Sequence, residues 1–253
     1  MVVFHDKTLS RMTGVSSSAP ISALALADLP PLRQDLVGQC ERIATVSRDE
    51  CVKIPLLEEV LELVPEHVSV VVEVKQDSDR LIEEVLRIVS AMGKTHQALW
   101  FSLDETVNAK LRLRGAEALP LITSIQGMLR VFLLYYMGLL PFVNVNCDVF
   151  GITMEEVNLE VVRREAALKS LPDWLKRVIA FVFGGKPSRA MLCPSLFRHL
   201  RRRGVPVWFL GVNSEEDLRI AQRAGATGVL SDRIRWLTKT MADKRIRFTR
   251  LEG

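Results

Sequence analysis

The chain has 253 residues, of which 48% are hydrophobic and 25% charged. This ordinary globular composition has enough apolar material for a core, and the length suits one large domain, such as a single α/β barrel, or two small ones. The net charge of +4 divides unevenly, with 14 basic against 22 acidic side chains in residues 1–160 and 20 against 8 in residues 161–253. A basic C-terminal portion suits either an anionic partner, such as a lipid surface or a nucleic acid, or a solvated basic face.

In chain order, Val2-Val3-Phe4 runs into His5-Asp6, followed by Leu9, Arg11, Thr13 and Gly14. Three apolar residues leading into two charged ones predict a buried parallel strand whose carboxyl end carries chemistry. Met1 already lies inside that strand, so its neighbour on the N-terminal side is expected to be absent from the chain. His5-Asp6-Lys7 also comes too early for a secretory leader. Residues 15–53 are irregular, with Ser16–Ser18, Pro20, Pro30 and Pro31.

Pro55 with Glu58 and Glu59 marks the start of a helix over Leu56–Val64. Further strands are predicted at Val68–Val74, Ala98–Phe101, Leu119–Thr123, Val205–Leu210 and Gly228–Leu230. A helix over Ser78–Ser90 carries Leu81, Val85, Ile88 and Val89 on one stripe. Ser214 with Asp217 resembles a capping box, and Gly225 supplies the exit of that helix. Strands of this kind, alternating with helices, predict a parallel sheet buried on both faces.

Val70-Val71-Val72-Glu73-Val74-Lys75 puts a carboxylate and an ammonium on one side of an otherwise apolar strand. Burying the pair without partners is costly, so both are expected in a polar mouth at the strand's end. Glu73 suits a hard cation and Lys75 a phosphate or carboxylate, although a plain salt bridge fits the same spacing.

The run V-V-F-H-D-x-x-L-x-R-x-T-G resembles a signature of the glycerophosphodiester phosphodiesterase family. I-P-L-L-E-E-V-L from Ile54 and V-E-V-K ending at Lys75 follow in that family's order. Gly138–Val143 and Gly225–Val229 with Asp232 resemble the membrane-associated branch with lysophospholipase D activity. The resemblance covers nearly the whole chain. It implies one TIM (β/α)8 barrel domain over residues 1–253, missing its first strands, and metal-assisted hydrolysis of a phosphodiester. It maps His5 to a catalytic acid–base, Lys75 to the phosphate-side cation and Glu73 to a ligand of a divalent cation, Mg²⁺ or Ca²⁺. Asp6, Trp208 and Asn213 fall at substrate-binding positions. Trp208 lies two residues before Leu210, where the family usually has tryptophan, and Arg233 and Ile234 replace an aromatic and a proline.

The family's His-Arg and Glu-x-Asp motifs belong upstream of the His-Asp block. This chain alone is therefore expected to be weak or inactive, a fragment or short form of a longer enzyme. The implied substrates are lysophospholipids or glycerophosphodiesters at a membrane surface, on the cytoplasmic face of an intracellular membrane such as the endoplasmic reticulum. No obligate protein partner is inferred. The other reading is a non-catalytic lipid-binding or regulatory protein.

Val131–Val143 is an apolar run too short for a bilayer that needs roughly 20 residues. It reads either as a core helix or as a lid facing lipid. Trp174–Phe183, with Lys176, Arg177, Lys186 and Arg189, reads as a helix lying in a headgroup plane. Asp232 reads as a helix N-cap or as an orienting group in the barrel mouth, and His199 as a solvated helix residue. Gly184-Gly185-Lys186 lacks P-loop spacing. The four cysteines lack zinc-site spacing, and nothing in the chain resembles a groove for single-stranded nucleic acid.

Overall fold

A computed structural model describes residues 1–6, 8–16, 19–33, 52–115, 118–154, 172–174, 176–177, 180, 191–244, 246 and 248. The chain divides into two compact units, Met1–Val70 with Glu83–Gln97, and Val71–Ile82 with Ala98–Gly253.

In the first unit Val2 forms a single antiparallel bridge to Leu56. Val3 N donates to Pro55 O at 2.9 Å, and Leu57 N donates to Met1 O at 3.0 Å. This corrects the expected buried parallel strand at Val2–Phe4, since the pairing is antiparallel and Val3 is exposed. Pro55 supplies the reason. The next rung would exchange two bonds between Val3 and Pro55, and proline has no N–H to return. A short helix, α1 (Ser10–Thr13), follows and ends at Gly14, whose φ of 76° suits glycine.

Helix α2 (Leu57–Leu63) starts one residue inside the expected bounds. Glu59 in its first turn accepts a hydrogen bond from Leu56 N at 2.8 Å, which satisfies one amide that the helix leaves orphaned. Leu56 has no side-chain acceptor to complete a capping box. Leu57 and Leu61 are buried, as are Val85, Ile88 and Val89 in the part of helix α3 (Asp79–Ala91) that belongs to this unit.

The sheet contains β1 (Val70–Glu73) and β2 (Ala98–Phe101), which pair with each other. Val70 N to Gln97 O and Val74 N to Phe101 O, both 2.8 Å, keep one offset along the pair, which marks parallel strands. In the second unit, Trp100 bridges Leu121 and Ile122 bridges Val149, both in parallel. The strands β3 (Phe150–Thr153), β4 (Val207–Leu210) and β5 (Gly228–Val229) then pair in parallel, with Phe150 opposite Val207 and Trp208 opposite Gly228. Strands added edgewise in sequence order, with helices between them, are the pattern of the (β/α)8 barrel. Among the described residues the sheet is not closed.

The pattern of apolar residues did not announce β3. Its Gly151 is required by a close approach, because a Cβ there would lie 2.9 Å from Ile122 Cγ2. The expected Leu119–Thr123 strand is reduced to the bridges at Leu121 and Ile122. Helices α4 (Glu105–Gly115), α5 (Ile125–Tyr136), α6 (Pro194–Arg202), α7 (Glu215–Ala224) and α8 (Ile234–Asp243) also belong to this unit. Phe150, Ile152, Val207 and Phe209 form one core cluster with Phe132, Leu196, Phe197 and Leu218. The Phe197 and Phe209 rings meet edge to face at 5.7 Å.

Ser214 caps α7 by accepting from Asp217 N at 3.1 Å, and Gly225 ends it at φ 85°. The apolar run Val131–Val143 divides. Val131, Phe132 and Leu140 are buried, whereas Leu133, Tyr136, Met137, Leu139 and Phe142 are exposed. Among the described residues no helix is long and apolar enough to cross a membrane. Of the second membrane candidate, Trp174 is exposed and Arg177 pairs with Asp173 at 3.3 Å. The apolar residues Leu175, Val178, Ile179 and Val182, with Lys186 and Arg189, lie outside the described residues.

Candidate active site

His5 and Asp6 sit in the turn that leads to α1, with the adjoining Leu9 buried. Arg11 on that helix grips the Asp6 carboxylate with two donors, Nε to Oδ2 at 2.6 Å and Nη2 to Oδ1 at 2.7 Å. His5 Nδ1 lies 2.8 Å from Asp6 Oδ1. The Arg11 guanidinium, helped by the His5 bond, holds the Asp6 carboxyl down at about 2. Asp6 is then ionised near neutrality and can only accept, so Nδ1 carries the proton that His5 donates. The His5 side chain is 72% exposed, and its Nε2 has no hydrogen-bond partner among the described residues. A neutral imidazole fixed in this tautomer presents Nε2 as a base toward solvent or substrate.

Glu73 ends β1, and Lys75 follows on the same side, with Val74 between them buried on the opposite side. Lys75 Nζ lies 3.0 Å from Glu73 Oε2, with both side chains mostly covered. His5 and Asp6 belong to the first unit, and Glu73 and Lys75 to the second.

Trp208 on β4 faces away from the helices, toward Leu99, Ile122 and Val149. It lies over Gly228, where a Cβ would meet its Nε1 at 2.8 Å. Asn213 donates from Nδ2 to Asp232 Oδ2 at 2.7 Å, and its Oδ1 accepts from Ser231 Oγ and Asp232 N, both at 3.0 Å. The amide thereby ties the loop after β4 to the loop after β5. Asp232 is not a helix N-cap, because α8 starts from Arg233 with no side-chain cap bond. His199 lies on α6 as expected but is only partly exposed. Its Nε2 is buried without a partner among the described residues, and desolvation lowers its pKa.

The described residues contain no group of three His, Cys, Asp or Glu able to hold a metal ion. Glu73 faces Lys75 instead. A divalent cation normally takes several oxygen ligands, so the described donor set does not fit one. Sequence reasoning noted Arg11 only as a motif letter and gave it no role. Its place five residues after Asp6, just before a helix-ending glycine, was the available signal.

Parallel strands added in sequence order, with helices between them, define a protein of the TIM-barrel class. Residues 1–235 match the glycerophosphoryl diester phosphodiesterase family, and the chain belongs to it. That family is one of phosphoric diester hydrolases, and its members generally depend on a divalent cation. The chain is 29% identical over 234 residues to human Lysophospholipase D GDPD1, covering 92% of this chain and 69% of that protein. It is 27% identical to mouse Lysophospholipase D GDPD3, covering 92% and 66%. Among solved structures, it resembles the glycerophosphodiester phosphodiesterase from Agrobacterium tumefaciens str. C58, with TM-score 0.54, 15% identity and coverage of 91% and 76%. It also resembles a glycerophosphoryl diester phosphodiesterase domain from Mycobacterium tuberculosis, with TM-score 0.55, 16% identity and coverage of 91% and 79%. At these identities the structural likeness establishes the fold alone.

Proposed function

We propose that this chain hydrolyses the phosphodiester of glycerophosphodiesters or lysophospholipids, releasing the headgroup alcohol as a lysophospholipase D does. The single observation that carries this reading is the Arg11–Asp6–His5 chain, which orients an exposed imidazole for proton transfer. Hydrolysis of a phosphodiester must protonate a leaving alkoxide or deprotonate the attacking water, and a positioned imidazole contributes roughly 10²–10⁴-fold to such a step. Lys75 offsets phosphoryl charge, and Glu73 holds that ammonium in place. The names of the relatives support the substrate class.

The substrate is taken from a membrane surface. Exposed Leu133, Tyr136, Met137, Leu139 and Phe142 support that docking, since tyrosine and large apolar side chains favour the interfacial region.

One observation favours a second reading, a non-catalytic lipid-binding protein, because the described residues assemble no cation cage. Choline release from lysophosphatidylcholine, measured with Mg²⁺, with Ca²⁺ and with chelator, separates the two. The hydrolase reading expects turnover that falls roughly 10²-fold or more in His5→Ala and is also reduced in Glu73→Gln. No release above the blank in any buffer, with vesicle binding intact, would favour the second.

A further inference from the structure

On the helix-covered side of the second unit, α4 and α5 and the segment after the Leu140–Phe142 turn enclose a cavity of about 330 Å³. That size is at the lower end for small-molecule pockets. It shares no residue with the His5 or Glu73 clusters. Glu105, Asn108 and Arg112 fall on one stripe of α4, and Gly127, Arg130 and Leu134 on one stripe of α5, and all of them line the space. Asn144 and Asn146 add amide groups from the connecting segment.

The charges in this cavity are unevenly matched. Glu105 is held by a hydrogen bond from Ser124 Oγ and lies 3.8 Å from Arg112 Nη2. Arg112 Nε is buried without a hydrogen-bond partner among the described residues. Arg130 meets no carboxylate among them. Two guanidinium groups therefore face one carboxylate, and a buried donor left unmade is costly. Gly127 keeps part of the wall open, because a Cβ there would press on Thr123 Cγ2 at 3.0 Å and Ser124 Oγ at 3.1 Å. Cys147 lines the cavity as a neutral thiol, since burial pushes its pKa up to about 11, so it adds no charge that would repel an anion.

We infer that this cavity is a binding site for a phosphate group, gripped by Arg112 and Arg130, with amide donors from Asn144 and Asn146. Guanidinium forks match the tetrahedral oxygens of phosphate. The apolar walls from Val131, Leu134, Leu140 and Val145 accommodate the carbon atoms of a small phosphomonoester. The inference goes beyond the hydrolase reading and does not depend on it.

Isothermal titration calorimetry of the full chain with inorganic phosphate, against chloride at equal ionic strength, tests the site. A one-site isotherm is expected. Arg130→Gln, at an exposed position, weakens it about tenfold or more, as loss of a charge-assisted bond should. Glu105→Gln tightens it several-fold by removing the opposing charge. Dihexanoyl phosphatidate below its micelle concentration reports the source of the group. Tighter binding than phosphate assigns a lipid headgroup, and equal binding assigns a free phosphate compound. Absence of binding heat with phosphate, or an isotherm that neither Arg130→Gln nor Glu105→Gln alters, overturns the proposal.

Discussion

Lys75 Nζ lies 3.0 Å from Glu73 Oε2 at the carboxyl end of β1, with both side chains less than a third exposed. The two charges depend on each other there, since either one alone would be left partly buried and unpaired. Glu73→Gln and Lys75→Met should each destabilise the chain by about 1 kcal/mol. The double variant should cost less than the two together, with a coupling of roughly 0.5–1 kcal/mol. Urea unfolding of the four proteins measures this, and strictly additive costs would rule out the pair as a unit.

Asp6 sets a pH dependence. Its folded-state pKa, about 2, lies below its ordinary value of 3.8. The contribution of the Arg11–Asp6–His5 chain is therefore complete above the ordinary value. It declines as pH falls below that value and is gone once pH passes below the folded one. Carboxyl-detected NMR should place the Asp6 midpoint near 2 and shift it toward 3.8 in Arg11→Ala. A wild-type midpoint already at the ordinary value would show that the bidentate grip does not persist in solution.

Phe142 is 84% exposed, beside exposed Met137 and Leu139. Moving one large apolar side chain from water into the interface contributes about 1.5–3 kcal/mol. Phe142→Ser should then lower the vesicle partition coefficient about tenfold or more in a flotation assay at varied lipid concentration, without lowering the melting temperature. Equal flotation of variant and wild type would remove this surface from the membrane proposal.

Gly115 ends α4 against the indole of Trp100, and a Cβ there would fall 2.1 Å from Trp100 Cζ2. Trp100 is fully buried on β2 and has nowhere to retreat. Gly115→Ala should destabilise by about 1–3 kcal/mol through overpacking and change the tryptophan emission. An unchanged unfolding midpoint would mean that the helix end shifts freely.

The cap at Ser214 and the exit at Gly225 were legible because each depends on bonds to residues within four positions. The Val-rich run before Glu73 and the stripe on α3 were legible from their periodicity. By contrast, Val2–Phe4 looked like a parallel strand, and only its meeting with Pro55, far along the chain, showed a one-rung antiparallel bridge. Gly151 concealed β3, since the reason for a glycine there is the side chain of Ile122 on a neighbouring segment.

The amino-acid sequence by itself determined the alternation of strands and helices, the helix ends and the ordered motifs that announce the family. These depend on local hydrogen bonding and burial periodicity. Tertiary structure alone decided that Arg11 locks Asp6 and His5, that Asn213 clasps Asp232, and that Arg112 and Arg130 share one cavity. Those relationships arise from which side chains packing brings within a few ångströms, a distance that spacing along the chain does not specify.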